Sequence, residues 1–386
     1  MKKLVRISTV PISLNILLKG QLKFLSQYYD LTAVSGPGAD LDEVAEREGV
    51  KVHPIEMQRQ ISPVKDFKAL IQLYLYFKKE KPHIVHSITP KAGLLSMMAA
   101  KMARVPVRMH TFTGLIFPSK TGKLQRLLIQ MDRLLCSSAT HVFPEGNGVK
   151  EDLIRFNITK KPLKVLANGN VNGIDSKFFS PSAVSSEQKS RLRTELGIGD
   201  SDFVCIFIGR LVRDKGINEL IEAFKNICKE NQSGKRVRLI LVGPSEQELD
   251  PLLPETLAEI ERHPDIMTTG FQSDIRPYLA VSHLLVFPSY REGFPNVVIQ
   301  AGAMGVPAVV TNISGSNEII RQGENGIIVP TKNAQRLEQA VLQLMHHPDQ
   351  YRAMASNARE AVVSRFSQEK VWNALLEEYR NALAQG

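Results

Sequence analysis

Cysteine is scarce in this sequence: three residues in 386, Cys136, Cys205 and Cys228, with no Cys-x-x-Cys pair. That excludes a disulfide-stapled scaffold and a zinc knuckle, and a reduced, cytoplasmic setting is expected. Long apolar runs are lacking too. No stretch approaches the ~20 residues of a spanning helix, so membrane contact is expected to be peripheral at most. Lys2, Lys3 and Arg6 precede a mildly apolar run, but Pro11, Ser13 and Asn15 interrupt it and no small-residue cleavage site follows. The segment reads as a first strand and its loop rather than a signal peptide. Low-complexity tracts and solenoid-type repeats do not occur. With 43% hydrophobic and 23% charged residues the composition is globular, and the length exceeds what one core usually fills, which argues for two domains.

Acidic residues are short in one half only. Residues 1–180 hold 27 Lys and Arg against 14 Asp and Glu, and the remainder 22 against 25. An excess confined to one half points to an anionic partner there: a nucleic acid, an anionic membrane surface or a phosphorylated substrate. A merely solvated basic surface is the alternative. No base-reading motif or Arg/aromatic interleaving accompanies the charge, so no nucleic-acid partner is expected.

Short β-branched runs alternate with segments of helical period throughout, the pattern of βα units and a mostly parallel sheet. The first half reads as seven strands, from Leu4–Ser8 to Leu163–Leu166, with helices between them, one near Leu14–Gln27 and another over Lys123–Ser137. The chain turns irregular around Asn168–Asp175, and a second alternation runs from Phe203–Ile208 to Gly326–Pro330. The fold expected is α/β, two doubly wound Rossmann-like domains facing a central cleft. Residues 1–170 form the first, 171–200 a linker and 201–367 the second, with a terminal helix over 368–386 packing back toward the first. Ligands of such sheets bind outside the strand ends.

Two constellations carry chemistry. In Arg291-Glu-Gly-Phe-Pro-Asn-Val-Val-Ile-Gln-Ala-Gly-Ala-Met-Gly-Val-Pro307, Pro295 suits a first helical position and Gly305 and Pro307 a stop. The N–H groups of Asn296, Val297 and Val298 would then form an anion site on the positive end of a helix. Glu292 stands just ahead, an acceptor suited to sugar hydroxyls; an acidic first turn of an ordinary helix is the competing reading. In the second, the apolar strand Phe203–Ile208 runs into Gly209 and a loop bearing Arg210 and Lys215. Two cations there can neutralise a diphosphate, although loop cations are often only solvated.

The chain resembles, over essentially its whole length, the large family-four group of retaining glycosyltransferases with the GT-B architecture. The resemblance rests on Gly-Arg-Leu-Val-Arg-Asp-Lys-Gly216, Thr269-Gly-Phe-Gln-Ser-Asp274, Val286-Phe-Pro-Ser-Tyr-Arg-Glu-Gly-Phe-Pro-Asn296 and Glu324-Asn-Gly326. It implies that Arg210 and Lys215 bind the nucleotide diphosphate together with the Asn296–Val298 backbone. Glu292 contacts the transferred sugar, Gly293, Phe294 and Gln300 line the donor sugar and ribose, and Gly270 and Phe271 border the nucleobase. His110, in His110-Thr-Phe-Thr-Gly114, looks like the strand-end histidine that reaches the donor sugar. The family's second glutamate is Gln300 here, which keeps hydrogen-bonding capacity and loses the charge. The family's Gly-Gly pair after the first strand is replaced by Thr9-Val-Pro-Ile-Ser-Leu14. A UDP-hexose donor, retention of anomeric configuration and a polyprenyl-diphosphate-linked or other glycan acceptor follow from the resemblance. A GT-B sugar-nucleotide epimerase and a catalytically silent sugar-nucleotide-binding module are the alternatives.

No metal is expected. Asp40-Leu-Asp42 and Asp200-Ser-Asp202 match the metal-holding Asp-x-Asp of other glycosyltransferases in letters, but neither follows an apolar strand. In Lys123–Ser137, Leu124, Leu127, Leu128, Met131, Leu134 and Leu135 share one helical face while Lys123, Arg126, Gln130 and Arg133 form a stripe beside it. With Lys120 ahead of it, the helix reads either as an element lying on an anionic membrane, at the inner face of the plasma membrane, or as a core helix with a solvated basic face.

Overall fold

The computed structural model describes residues 1–58, 60–248 and 250–385. The chain divides into two compact units, unit 1 of Met1–Gly173 with Gln368–Gly386 and unit 2 of Ile174–Ser367. Gly386, the last residue of the expected terminal helix, lies outside the described residues. Unit 1 alternates β1 (Lys3–Ile7), α1 (Pro11–Leu17), α2 (Gln21–Ser26), β2 (Asp30–Ser35), α3 (Ala39–Glu48), β3 (Lys51–Pro54), α4 (Pro63–Glu80), β4 (Ile84–Ser87), α5 (Pro90–Met102), β5 (Val107–Phe112), α6 (Gly122–Ser138), β6 (His141–Pro144) and α7 (Asn147–Arg155). Unit 2 continues with α8 (Ser186–Glu195), β7 (Phe203–Ile208), α9 (Ile217–Glu230), β8 (Val237–Val242), α10 (Pro254–Arg262), β9 (Ile266–Gly270), α11 (Arg276–Ala280), β10 (Leu284–Phe287), α12 (Asn296–Ala303), β11 (Ala308–Thr311), α13 (Ser316–Ile319), β12 (Gly326–Val329), α14 (Ala334–His346) and α15 (Pro348–Phe366). The last helix, α16 (Gln368–Ala384), belongs to unit 1.

Each unit holds one six-stranded sheet, in the orders β3-β2-β1-β4-β5-β6 and β12-β11-β10-β7-β8-β9, and all the strand pairings are parallel. Counted from its own first strand, each sheet runs 3-2-1-4-5-6, so the order reverses between β1 and β4 in unit 1 and between β7 and β10 in unit 2. Such parallel strands are covered on both faces and read as near-continuous apolar runs; Phe203–Ile208 and Val237–Val242 are buried at every position.

Three elements differ from the sequence reading. Residues 174–200 belong to unit 2 and contain α8, whose Ser185 and Gln188 form a capping box, instead of an irregular linker. The stretch 163–166 makes one isolated bridge, Val142 to Leu163, rather than a seventh strand. The helix expected over Leu14–Gln27 is broken at Gly20, where the Trp372 ring packs. Trp372 also stacks on Phe24 and donates its indole N–H to Asn172 Oδ1 at 2.8 Å.

The two faces of the unit 1 sheet are unlike. β1 sends Val5 and Ile7 toward the layer of α4, α5 and α6, and Leu4 toward the side that holds α1, α2, α3 and α16. Arg6 alternates onto that second side and is fully buried there. Its Nη1 donates to Tyr379 Oη at 2.8 Å and to His86 Nδ1, and its Nη2 donates to Gln21 Oε1 at 3.1 Å. Because a guanidinium only donates, Nδ1 of His86 must accept, which puts the ring proton on Nε2, facing Thr111 Oγ1 at 2.8 Å. Arg6 Nε has no partner among the described residues. A cavity of about 20 Å³ beside it, lined by His86, Thr111, Glu145 and Asn170 and by the apolar Phe143, Leu166 and Leu375 among others, is large enough for one water.

His110 is the fourth residue of β5 and has no exposed surface. Its Nδ1 pairs with Ser87 Oγ at 2.8 Å, and a side chain at Gly93 of α5 would collide with its ring. Burial and the Arg6 charge hold His86 well below its ordinary 6.5, and burial pushes His110 down to about 3.

Two predictions follow. Tyr379→Phe leaves the buried guanidinium one acceptor short and is expected to lower stability by ~1–3 kcal/mol, measured by urea unfolding. Both histidines are neutral when folded and protonate near 6.5 when unfolded, so their stabilisation is complete above that pH. It falls by ~1.4 kcal/mol per pH unit for each as the pH drops below 6.5. Urea titrations at descending pH are expected to show the decline, with His110→Asn removing about one histidine's share of the slope.

Candidate active site

In unit 2 the reversal of strand order falls between β7 and β10, and the loops after these strands carry Arg210, Lys215 and Glu292. Ligands of open parallel sheets bind at that point. The two loops are in backbone contact. The β7 loop closes through a turn at Arg213–Lys215 and enters α9 at Gly216, whose φ is 71°; a Cβ there would lie 2.2 Å from the Pro288 carbonyl oxygen. Only glycine combines that left-handed conformation with that approach. Hydrogen bonds then stitch the loops: Tyr290 N donates to Asp214 O at 2.9 Å, Tyr290 Oη to Glu219 at 2.5 Å, and Arg291 pairs with Asp214 at 3.4 Å. Asp250 accepts from Asp214 N at 2.6 Å and from Arg213 Nε at 3.1 Å, which ties the turn to the loop after β8.

The result is an ion pair. Lys215 Nζ lies 2.5 Å from Glu292 Oε1, with the two side chains only 15% and 18% exposed. Ser289 Oγ donates to the same carboxylate oxygen at 2.9 Å, and the Thr311 hydroxyl in turn holds the Ser289 carbonyl. A charge-assisted bond and a neutral one thus fix the carboxylate's direction. Arg210 is more open: it pairs with Glu246 at 3.0 Å, and both side chains are nearly half exposed.

Helix α12 differs in detail from the expectation. Pro295 is its N-cap rather than its first turn, and the Val298 N–H already donates to the Pro295 carbonyl at 3.1 Å. Val298 is therefore not an open anion donor. Phe294 is buried and packs edge-on against Phe366, so its ring belongs to the core and only its backbone borders the loop. Asn296, Val297 and Gln300 are the half-exposed strip of an otherwise buried helix. Gly293 lies against the loop after β11, where Gly315 approaches its carbonyl closely.

Gly270, with φ at 66°, ends β9, and the Phe271 ring beyond it is 74% exposed. His110 does not stand at a strand end as expected. Its enclosed ring meets only protein, and the residue that follows β5 is Thr113, whose hydroxyl donates to the Ile88 carbonyl at 2.9 Å. Lys120, just ahead of α6, and Lys123 and Arg126 on it are exposed, whereas Arg133 is tied to the carbonyls of Phe156 and Asn157 at 3.2 and 3.1 Å. Asp40 lies in the first turn of α3 and Asp202 accepts from Gly199 N in the turn before β7. Among the described residues no three His, Cys, Asp or Glu side chains converge as a metal site.

Sequence reasoning missed Asp214, Ser289 and Tyr290, although all three lie within the quoted motifs; Asp214 and Tyr290 meet only through the loop contact at Gly216. It also missed Ser314 and Ser316, whose buried hydroxyls flank Gly315 and have no partner among the described residues.

Comparisons with known proteins identify the family and the fold. Residues 26–169 match the family model described as a glycosyl transferase 4-like domain, and residues 188–361 the model for glycosyl transferases group 1. The capsular polysaccharide biosynthesis glycosyltransferase CapM of Staphylococcus aureus is 31% identical over 369 residues, 95% of this chain and 94% of that protein. The UDP-Gal:alpha-D-GlcNAc-diphosphoundecaprenol alpha-1,3-galactosyltransferase of Escherichia coli is 29% identical over 310 residues, 80% of this chain and 78% of its own. Anabaena HepE, whose crystal structure is a complex with UDP, superposes with a TM-score of 0.81 at 20% identity, covering 99% of this chain and 100% of that one. Sequence motifs, strand order and relatives converge: the chain belongs to the family-four glycosyltransferases of GT-B fold.

Proposed function

We propose that this glycosyltransferase moves a hexose-type sugar from a UDP donor, with retention of configuration, to a polyprenyl-diphosphate-linked acceptor in polysaccharide assembly. The observation that carries the proposal is the Lys215–Glu292 pair at the strand-order reversal of unit 2, beside the half-exposed end of α12. A cation for a departing diphosphate and a carboxylate for sugar hydroxyls then stand side by side. The names of the staphylococcal and E. coli relatives support the substrate class.

In this reading Arg210 and Lys215 neutralise the diphosphate as it leaves, so the charge that builds up is met by protein cations rather than by a bound metal. Glu292 accepts hydrogen bonds from the sugar, Asn296 and Val297 approach the phosphates, Gln300 serves the ribose, and Gly270 and Phe271 border the base. The bond between the anomeric carbon and the phosphate oxygen breaks as the acceptor oxygen attacks the same face. The acceptor's proton passes to the departing diphosphate, so no nucleophilic side chain takes part. His110 is given no contact with the donor, because its ring is enclosed.

Unit 1 is the part proposed to meet the membrane. Besides the exposed Lys120, Lys123 and Arg126, Leu124, Leu127 and Leu134 of α6 are 45%, 49% and 46% exposed. The apolar face read from the sequence is thus only half covered, through Leu128, Ile129 and Leu135. Among the described residues no helix is long and apolar enough to cross a bilayer, so the contact proposed is peripheral, at an anionic cytoplasmic leaflet.

Calorimetry is expected to show UDP binding weakened by ~1.5–3 kcal/mol in Arg210→Ala and Lys215→Ala, each of which loses a charged contact. Unchanged affinity in both folded variants would refute the diphosphate site. Glu292→Gln is expected to lower turnover far more than UDP affinity. Incubating UDP-sugars with and without a polyprenyl-diphosphate-linked acceptor tests the reaction itself: consumption of donor is expected only with acceptor, and conversion of the free sugar nucleotide would make the protein an epimerase.

A further inference from the structure

Helix α4 is apolar on two opposite sides. Ala69, Leu73 and Phe77, spaced by four, are buried against the sheet. By the same 3.6-residue period Val64, Phe67, Ile71 and Leu75 fall on the opposite side, and Val64 is 82% exposed, Phe67 65% and Leu75 59%. Lys68 and Lys78 lie within this outer stripe and Lys65 and Lys79 along its edge, all of them exposed. Among the described residues none of the four lysines has a salt-bridge partner, while the two acids of the helix are engaged inward, Asp66 with Lys91 at 2.7 Å and Glu80 with Lys3 at 2.9 Å. The outer stripe of α4 is therefore apolar and cationic, with no acid within it.

The charge decides the occupant. A second copy seated on this face would set lysines against lysines, and a nucleic acid would take the lysines but leave Val64, Phe67 and Leu75 in water. An anionic bilayer meets both needs, taking apolar side chains at the acyl boundary and lysines among the headgroups. The position fits as well. α5 packs between α4 and α6 on one face of the sheet, so the two half-covered helices flank it, each following a strand end, β3 and β5.

We propose that α4 is a second leaflet-contact element, so that unit 1 rests on an anionic membrane along α4 and α6 together; the inference rests on the leaflet reading of α6 given above. The test uses the full chain and co-sedimentation with phosphatidylcholine vesicles, with and without phosphatidylglycerol. The triple variant Val64→Ser, Phe67→Ser, Leu75→Ser changes exposed positions only and is checked for an unaltered thermal midpoint. Wild type is expected to bind only the anionic vesicles and the triple variant about tenfold or more weaker. Quenching of a Phe67→Trp variant by lipid with brominated acyl chains is expected in addition. If Lys120→Gln, Lys123→Gln, Arg126→Gln loses binding while the α4 variant binds like wild type, the α4 contact is overturned and the leaflet reading of α6 stands. If wild type binds neither vesicle, both fall. A wild-type dimer in gel filtration that the α4 variant dissolves would make this face a contact between copies and overturn the membrane assignment.

Discussion

A side chain at position 216 would meet the Pro288 carbonyl at 2.2 Å, and the chemistry of unit 2 depends on that missing side chain. Because the chain turns there through a left-handed residue, the loops after β7 and β10 touch, and Lys215 comes within 2.5 Å of Glu292. Each charge then stabilises the other in a setting where both are mostly out of water. A lone carboxylate or ammonium so enclosed would be costly. Under the proposed function, an arriving diphosphate would have to compete with Glu292 for Lys215, and sugar hydroxyls would take up the acceptor capacity thus released.

Much of this was legible in the sequence because parallel strands buried on both faces announce themselves as β-branched runs, and because the motif from Val286 to Asn296 is read off a strand end. What was not legible has a common cause. Spacing tells which residues share a face but not what lies opposite. The resemblance, for its part, put His110 at a strand end, whereas the ring points into the layer beneath α5. The resemblance placed Phe294, and the helix-end reading Val298, at a ligand, whereas Phe366 and the Pro295 carbonyl had already claimed them. The break of the first helix at Gly20 depends on Trp372, some 350 residues away in the chain. The outer stripe of α4 was hidden for the same reason: with apolar residues on both sides, its period cannot show which side is covered.

Unit 1 solves a different problem. Its sheet carries a buried cation, Arg6, and surrounds it with acceptors from three separate segments, Gln21 of α2, His86 of β4 and Tyr379 of α16, with Thr111 of β5 holding His86 from behind. An apolar residue at position 6 would need none of them. The cluster makes the docking of α16 depend on angle and register as well as on area, since Tyr379 must bring its hydroxyl to one place on the sheet.

That docking has a consequence for how the chain is made. Unit 2 is one continuous stretch whose ends meet, with Ile174 N bonded to Phe366 O at 2.7 Å and bridged to Ser367. It is spliced into unit 1, whose helix α16 follows it in the sequence. As the protein emerges from the ribosome, the first sheet is complete after Pro144, yet the side holding Arg6 stays open until Tyr379 has been synthesised. The half of the protein that is made first is therefore the half that finishes last, and until then its unclosed face is exposed to chaperones and to aggregation.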